Sequence, residues 1–213
     1  MTKLFCPSRF ERVKLPSRLI SRTFGMGPQA ARELANRLNL TRPRGKIILY
    51  GSAGALDPQL QVGESFLIHE LRLKDSELKL SLNIPHSLRF LPQASCLTTD
   101  EPVLRSQDKQ SLFEQFQLQI VDCEMAAFMD SLVEDMHSQI IFVRTVIDSS
   151  QHSLRFLEGS QIRWPSLVKP TALFDFLRIS KNFLIYHRSM SEFLERVYQL
   201  SVTTSTEPEA SQL

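Results

Sequence analysis

Glu124, Asp148 and the small-residue run Gly51-Ser52-Ala53-Gly54 are the parts of this chain whose residue types could do chemistry. A carboxyl group held away from water can give or take a proton, or accept hydrogen bonds from hydroxyls. A run of small residues lets a ligand touch backbone. Gly25-Met26-Gly27, opening a helix, is a second such run. Each also has a plain structural reading. Asp122 and Glu124 can cap a helix and offset its dipole. Asp148 can begin a turn, and the glycines can serve turns. Neither run is a nucleotide P-loop, because GxxxxGK[ST] is missing.

The elements around these residues decide whether they meet. Short apolar runs predict strands at Leu4–Cys6, Ser21–Phe24, Ile47–Tyr50, Phe66–Ile68, Cys96–Thr99 and Ile140–Ile147. The Ile47–Tyr50 strand is expected to stop at Gly51, with Gly51–Gly54 as a turn. Pro28 suits the first turn of a helix, and Ala30, Ala31, Leu34, Ala35 and Leu38 share one of its faces. A second helix is predicted from Cys123 to Met136, with a stripe of Met125, Phe128, Met129, Leu132, Val133 and Met136. Residues 70–94 read as strand and loop, and one or two helices span Thr171 to Leu200. The expected organisation is one domain over residues 1–200 and a polar, disordered tail over 201–213. Strands alternating with helices predict an α/β fold, a mixed twisted sheet flanked by helices. In open α/β sheets, ligands lie beyond the carboxyl ends of strands. The two small-residue runs and Asp148 all fall at such ends.

Composition narrows the function classes. The chain has 213 residues, 42% of them apolar and 23% charged, which is ordinary for one globular domain. A net charge of +2 with no dense basic stripe argues against nucleic-acid binding. No apolar run reaches the roughly 18 residues of a membrane span, and no apolar segment near Met1 suggests a signal peptide. Cys6, Cys96 and Cys123 form no CxxC pair, which fits a reducing cytoplasm. The histidines show no metal-ligand spacing, so neither a metal nor a cofactor is expected.

In combination the motifs are more specific. GSAGALDPQLQVGE, Val121-Asp122-Cys123-Glu124-Met125-Ala126-Ala127 and Val143-Arg144-Thr145-Val146-Ile147-Asp148 occur in order. They resemble the GSAGGL…vGD block, the glutamate-bearing helix start and the VR.ISD strand end of the purine nucleoside phosphorylase/nucleosidase superfamily. The pattern is nearest to the bacterial branch of methylthioadenosine/S-adenosylhomocysteine nucleosidases and futalosine hydrolases. TFGMG at 23–27 and LTTDEPV at 97–103 match weaker blocks, and the likeness spans roughly residues 20–195.

The resemblance implies a nucleoside phosphorylase-like fold, shortened at the N-terminus because only about twenty residues precede TFGMG. It also implies cleavage of a ribose C1′–purine N9 bond through an oxocarbenium-like transition state. Asp148 would protonate the leaving purine at N7, and Glu124 would accept hydrogen bonds from the ribose hydroxyls. Ser52, Ala53 and Gly54 would line the nucleophile's path, with Met26 and Cys123 against the ribose. The backbone of Pro102 and Val103 would read the purine edge, and Phe156 would stack on the base unless it is ordinary core. Glu11 is the residue that resembles the base for an attacking water, although Arg9 and Arg12 flank it and would weaken it. An acid at 148 suits a 6-aminopurine. The implied substrates are methylthioadenosine, S-adenosylhomocysteine and aminodeoxyfutalosine, the last in menaquinone biosynthesis. The implied assembly is a homodimer. The uncharged IILY strand favours hydrolysis over phosphorolysis, with Arg22 and Arg144 left as possible phosphate ligands. A catalytically weak purine binder and a plain interaction domain stay open beside these.

Overall fold

Apolar runs too short for helices form the centre of the molecule. In this computed structural model all residues are described except 1, 18, 77–78, 155, 159–160, 163–168 and 204–213. One mixed eight-stranded sheet contains β1 (Lys3–Cys6), β2 (Ser21–Thr23), β3 (Ile47–Ala55), β4 (Ser65–Leu73), β5 (Lys79–Ser81), β6 (Gln93–Thr98), β7 (Ile120–Asp122) and β8 (Ile140–Asp148). A separate short ribbon pairs β9 (Leu157–Glu158) with β10 (Gln161–Ile162). The helices are α1 (Gly27–Thr41), α2 (Ser106–Phe116), α3 (Met125–Ser131) and α4 (Pro170–Thr203).

The strand pairings close a circuit. β3 runs parallel to β8, β8 antiparallel to β4, β4 parallel to β6, and β6 parallel to β7. β7 then pairs antiparallel with the end of β3, at Gly54 and Ala55. β1 pairs with the start of that same β3 edge, at Ile47–Leu49. Between the two, Tyr50–Ala53 has no strand on that edge among the described residues. The gap sits at the carboxyl ends of β1 and β2.

Both faces of the sheet are covered, which explains why its central strands read as continuous apolar runs. Alternate residues go to opposite layers. Ile47, Leu49, Phe142 and Val146 pack under α1 and α3 with Leu34, Leu38 and Phe128. Ile48, Tyr50, Ile141 and Val143 pack under α4 with Tyr186, Met190 and Leu194. The α/β layering agrees with the sequence.

Several local expectations do not hold. The small-residue run at 51–54 is strand, not turn, because β8 continues to pair beside it through Gly54. The stripe from Cys123 to Met136 is not one helix. α3 ends at Ser131, where Asn39 of α1 donates to the Ser131 carbonyl and accepts from the Val133 N–H. Met136 lies in a 3₁₀ turn at Glu134–Gln139 and is still buried. α2 and β7 were not foreseen, and the C-terminal helical segment is a single helix. The tail expected to be disordered lies almost wholly outside the described residues.

Candidate active site

The open stretch of the β3 edge holds the first carboxyl group. After β1, the chain turns through Pro7 and Ser8 and brings Glu11 back over β3. Glu11 Oε1 accepts from the Ser52 N–H at 2.8 Å and the Ser52 hydroxyl at 2.6 Å. Oε2 accepts from the Ser8 hydroxyl at 3.0 Å. The Glu11 carbonyl accepts from Tyr186 of α4 at 3.0 Å. Glu11 is 6% exposed, while Arg9 and Arg12 beside it in sequence are exposed. Gly51 explains the close approach. A Cβ there would lie 3.2 Å from Pro7 Cδ and 3.3 Å from Glu11 Oε1. Gly51 therefore lets loop and strand touch, and Gly54 lets Val121 of β7 pack close, rather than turning the chain.

Glu124 and Asp122 divide the two readings given to them. Asp122 is the helix-capping acid: its Oδ2 accepts from the Met125 N–H at 3.3 Å. Its Oδ1 accepts from the Thr98 hydroxyl at 2.7 Å. Arg144 donates to Oδ2 through Nε at 3.2 Å and Nη2 at 2.8 Å. Glu124 occupies the cap position of α3 but makes no cap bond. Its Oε1 accepts instead from the Gly27 N–H, at 3.1 Å, at the start of α1. Free N–H groups and the positive end of the dipole lie there. Burial, and then the negative charge of Asp122, push the Glu124 carboxyl up to about 7; Glu11 adds to this, and Arg144 and the Gly27 N–H oppose it. Glu11 therefore lies near enough for its charge to act on Glu124.

Asp148 ends β8 behind a bulge. Ala53 pairs with Val146 and Gly54 with Asp148, so Ile147 is an extra residue on β8. Bulges re-aim the side chains next to them. Asn182 of α4 holds this one by donating to the Ile147 carbonyl at 2.8 Å. Gly54 pairs with Asp148 on one side and with Val121 on the other. Asp148 thus sits one strand from the segment that leads to Glu124. Its carboxyl is buried, in an ion pair with Lys109 of α2.

The remaining residues fall into two groups. Ser52 is bonded to Glu11, Gly54 is paired with Asp148, and Cys123 precedes Glu124, its Sγ 3.9 Å from the Thr99 hydroxyl. Met26, next to Gly27, is 60% exposed, as is Phe10 at 79% beside Glu11. Pro102 is exposed on the loop after β6, and Val103 packs against the cluster of Leu56, Leu97 and Leu112. Phe156 is buried with Leu154, Ala172 and Ile179, edge-on to Phe176 at 5.5 Å. Arg144 is 2% exposed, and it also bonds the Leu49 and Val143 carbonyls, so its donors are used inside the protein. Arg22 is exposed. Among the described residues no group of His, Cys, Asp or Glu could hold a metal ion, and no helix is long and apolar enough to cross a membrane.

Lys109, Ser8 and Tyr186 were not foreseen in this region. Ser8 carried a signal, three residues before Glu11, the spacing of a local side-chain turn. Lys109 and Tyr186 carried none, because only the packing of α2 and α4 brings them near.

No protein-family model matches the chain, and no curated protein matches it. Solved structures do. Futalosine hydrolase of Helicobacter pylori strain 26695 superposes with a TM-score of 0.62 at 11% identity, over 95% of this chain and 97% of that one. The 5′-methylthioadenosine/S-adenosylhomocysteine nucleosidase of Helicobacter pylori, with butyl-thio-DADMe-Immucillin-A, gives 0.63 at 11% identity over 91% and 97%. A Borrelia burgdorferi B31 protein provisionally assigned the latter activity, bound to adenine, gives 0.67 at 13% identity over 94% and 100%. The fold of this chain is the fold of these nucleosidases.

Proposed function

We propose that this protein hydrolyses the N-glycosidic bond of a 5′-substituted adenosine and releases adenine. The observation that carries the reading is the Glu11 carboxylate seated on the N–H and hydroxyl of Ser52. A carboxylate there is placed to take a proton from water. It also fills the two donors that a phosphate would need, and its charge repels an anion. With Arg144 spent on Asp122, this supports hydrolysis over phosphorolysis.

The reading gives each acid a role. Glu124 accepts hydrogen bonds from the ribose hydroxyls, beside the start of α1, and favours positive charge on the sugar as C1′–N9 lengthens. The bonding pair passes to the purine, and N7 takes a proton from Asp148. Water bonds to C1′ and gives its proton to Glu11. No metal or cofactor enters. Methylthioadenosine, S-adenosylhomocysteine and aminodeoxyfutalosine fit this chemistry equally, the last placing the protein in menaquinone biosynthesis. The exposed apolar side chains of Met26 and Phe10 border the region and suit an apolar 5′ group or a second subunit. Leu173, Phe174, Leu177 and Leu184 of α4 are also exposed and support a homodimer. A cytoplasmic location belongs to the same proposal.

The Lys109–Asp148 ion pair favours one other reading, a purine binder whose acid is held ionised and donates poorly. Incubating the protein with each nucleoside, with and without phosphate, and following free adenine separates the cases. Phosphate-independent release supports the nucleosidase. Release only with phosphate means a phosphorylase, and binding without release means the binder.

A further inference from the structure

Lys109 is 0% exposed, an unusual position for a lysine. A buried ammonium needs a partner for each of its three donors. It bonds Asp148 Oδ2, the Ser149 carbonyl at 3.0 Å and the His152 carbonyl at 3.2 Å. Its place on α2 is three residues before Leu112, on the face turned to the core. One cation from α2 therefore grips both the acid that ends β8 and the loop after it.

The grip is one-sided. Oδ2 of Asp148 is taken by Lys109, which leaves Oδ1 for a ligand. Among the described residues, the other ionisable groups that face Asp148 are Arg178 of α4 and His152 of the loop. Arg178 is itself held by Asp175 at 3.1 Å and by the Ser153 carbonyl at 3.2 Å. Among the described residues, Lys109 is thus the cation in direct contact with the carboxyl group.

We propose that Lys109 is a positioning residue for protonation of the leaving purine. It turns Asp148 so that Oδ1 alone meets N7, and it is the counter-cation for the carboxylate that Asp148 becomes. This rests on the nucleosidase reading above. In the step, the Oδ1–H bond breaks, an N7–H bond forms, and the C1′–N9 pair passes to the purine. Lys109 stays an ammonium throughout, so the pair has one positive charge before transfer and none after it. Burial raises the Asp148 carboxyl, keeping a proton available, and the Lys109 charge and hydrogen bond oppose that, making the acid readier to give it up. Burial in turn pulls Lys109 down, and Asp148 holds it up.

The test compares wild type with K109M, K109Q and K109R on two substrates. One is methylthioadenosine, whose leaving base needs a proton. The other is 4-nitrophenyl riboside, whose leaving phenolate needs none. For K109M we expect kcat on the purine substrate to fall about 100-fold, the low end of general acid–base effects. We expect less than about a threefold change on the nitrophenyl substrate, since no acid is needed there. The alkaline limb of the pH profile should move up, because a carboxyl without its cation keeps its proton longer. K109R should restore the limb, and K109Q, which can bond but has no charge, should not. Equal losses on both substrates with an unmoved limb would overturn the proposal and leave Lys109 as a loop staple. Should K109M fail to fold, K109Q and K109R carry the same comparison. If folded wild type releases adenine from no adenosine derivative, the nucleosidase reading fails. Carbon-13 titration of Asp148 in wild type and K109Q then still tests the pairing: an upward shift upholds it, and no shift overturns it.

Discussion

Replacing Glu11 by glutamine removes the proposed base while keeping nearly every contact it makes. The amide oxygen can take the place of Oε1 and accept from both the N–H and the hydroxyl of Ser52. The amide nitrogen then faces the Ser8 hydroxyl, which rotates to accept instead of donate. Bonds to a charged acceptor are worth about 1.5–3 kcal/mol and neutral ones about 0.5–1.5, so each loses about 1 kcal/mol. Relief from burying a carboxylate offsets part of this. The net cost should be about 1–2 kcal/mol, or a fall of about 2–8 °C in Tm for a chain of this size. The Tyr186 bond to the Glu11 carbonyl is untouched. Catalysis should suffer far more, because loss of a positioned base costs about 100- to 10,000-fold, or about 3–5 kcal/mol of barrier. KM should change little, since purine and ribose meet other residues. The assay is adenine release at saturating substrate, run beside circular dichroism and a thermal melt. An E11Q protein that melts as expected yet keeps kcat within about threefold of wild type would refute the role of Glu11 as base, a threefold change being far below such an effect.

Two further outcomes follow from the buried acids. R144M strands Asp122 without its cation, and breaking a buried pair costs about 3–5 kcal/mol; Tm should fall by about 10 °C or more, and D122N/R144M should recover part of the loss. A melt of R144M within 2 °C of wild type, roughly the effect of less than 1 kcal/mol, would contradict this. Glu124 has its carboxyl raised from 4.5 to about 7, so the folded state holds a proton that the unfolded state releases in that window. Its contribution to stability is present below 4.5 and is lost as the pH rises through about 7. E124Q should therefore melt higher than wild type at pH 8 and alike at pH 4, and a gap of the same size at both would show that Glu124 is not raised.

Short-range pattern made much of the fold and the candidate site legible. The apolar runs at Ile47–Tyr50 and Ile140–Ile147 and the face of Ala31, Leu34, Ala35 and Leu38 are what a strand or helix buried on one side or both requires. Ser52 stands in the GSAG block and Glu11 is singled out only by its place in the first loop, yet the two are in contact although 41 residues apart. Where local pattern failed, a distant partner had overridden it. Gly51–Gly54 looks like a turn because glycine permits one, but β8 pairs alongside and Pro7 and Glu11 lie on top, so the small side chains serve close packing. The Met125–Met136 stripe has helical spacing, yet Asn39 of α1 binds the backbone at Ser131 and Val133 and ends the helix. α2 was hidden because Lys109 stands on its buried face, where an apolar residue would have completed the period.

By itself, then, the sequence determined the α/β layering and the order of the main strands, since these depend on residue type and near-neighbour spacing. The tertiary structure alone decided that Glu124 reaches α1 instead of capping α3, that Asp148 meets a lysine, and that Arg144 is consumed by Asp122. Those outcomes depend on which groups share a buried space once the sheet closes on itself. A buried charge must take whatever partner the packing brings within reach, and no local spacing records which partner that is.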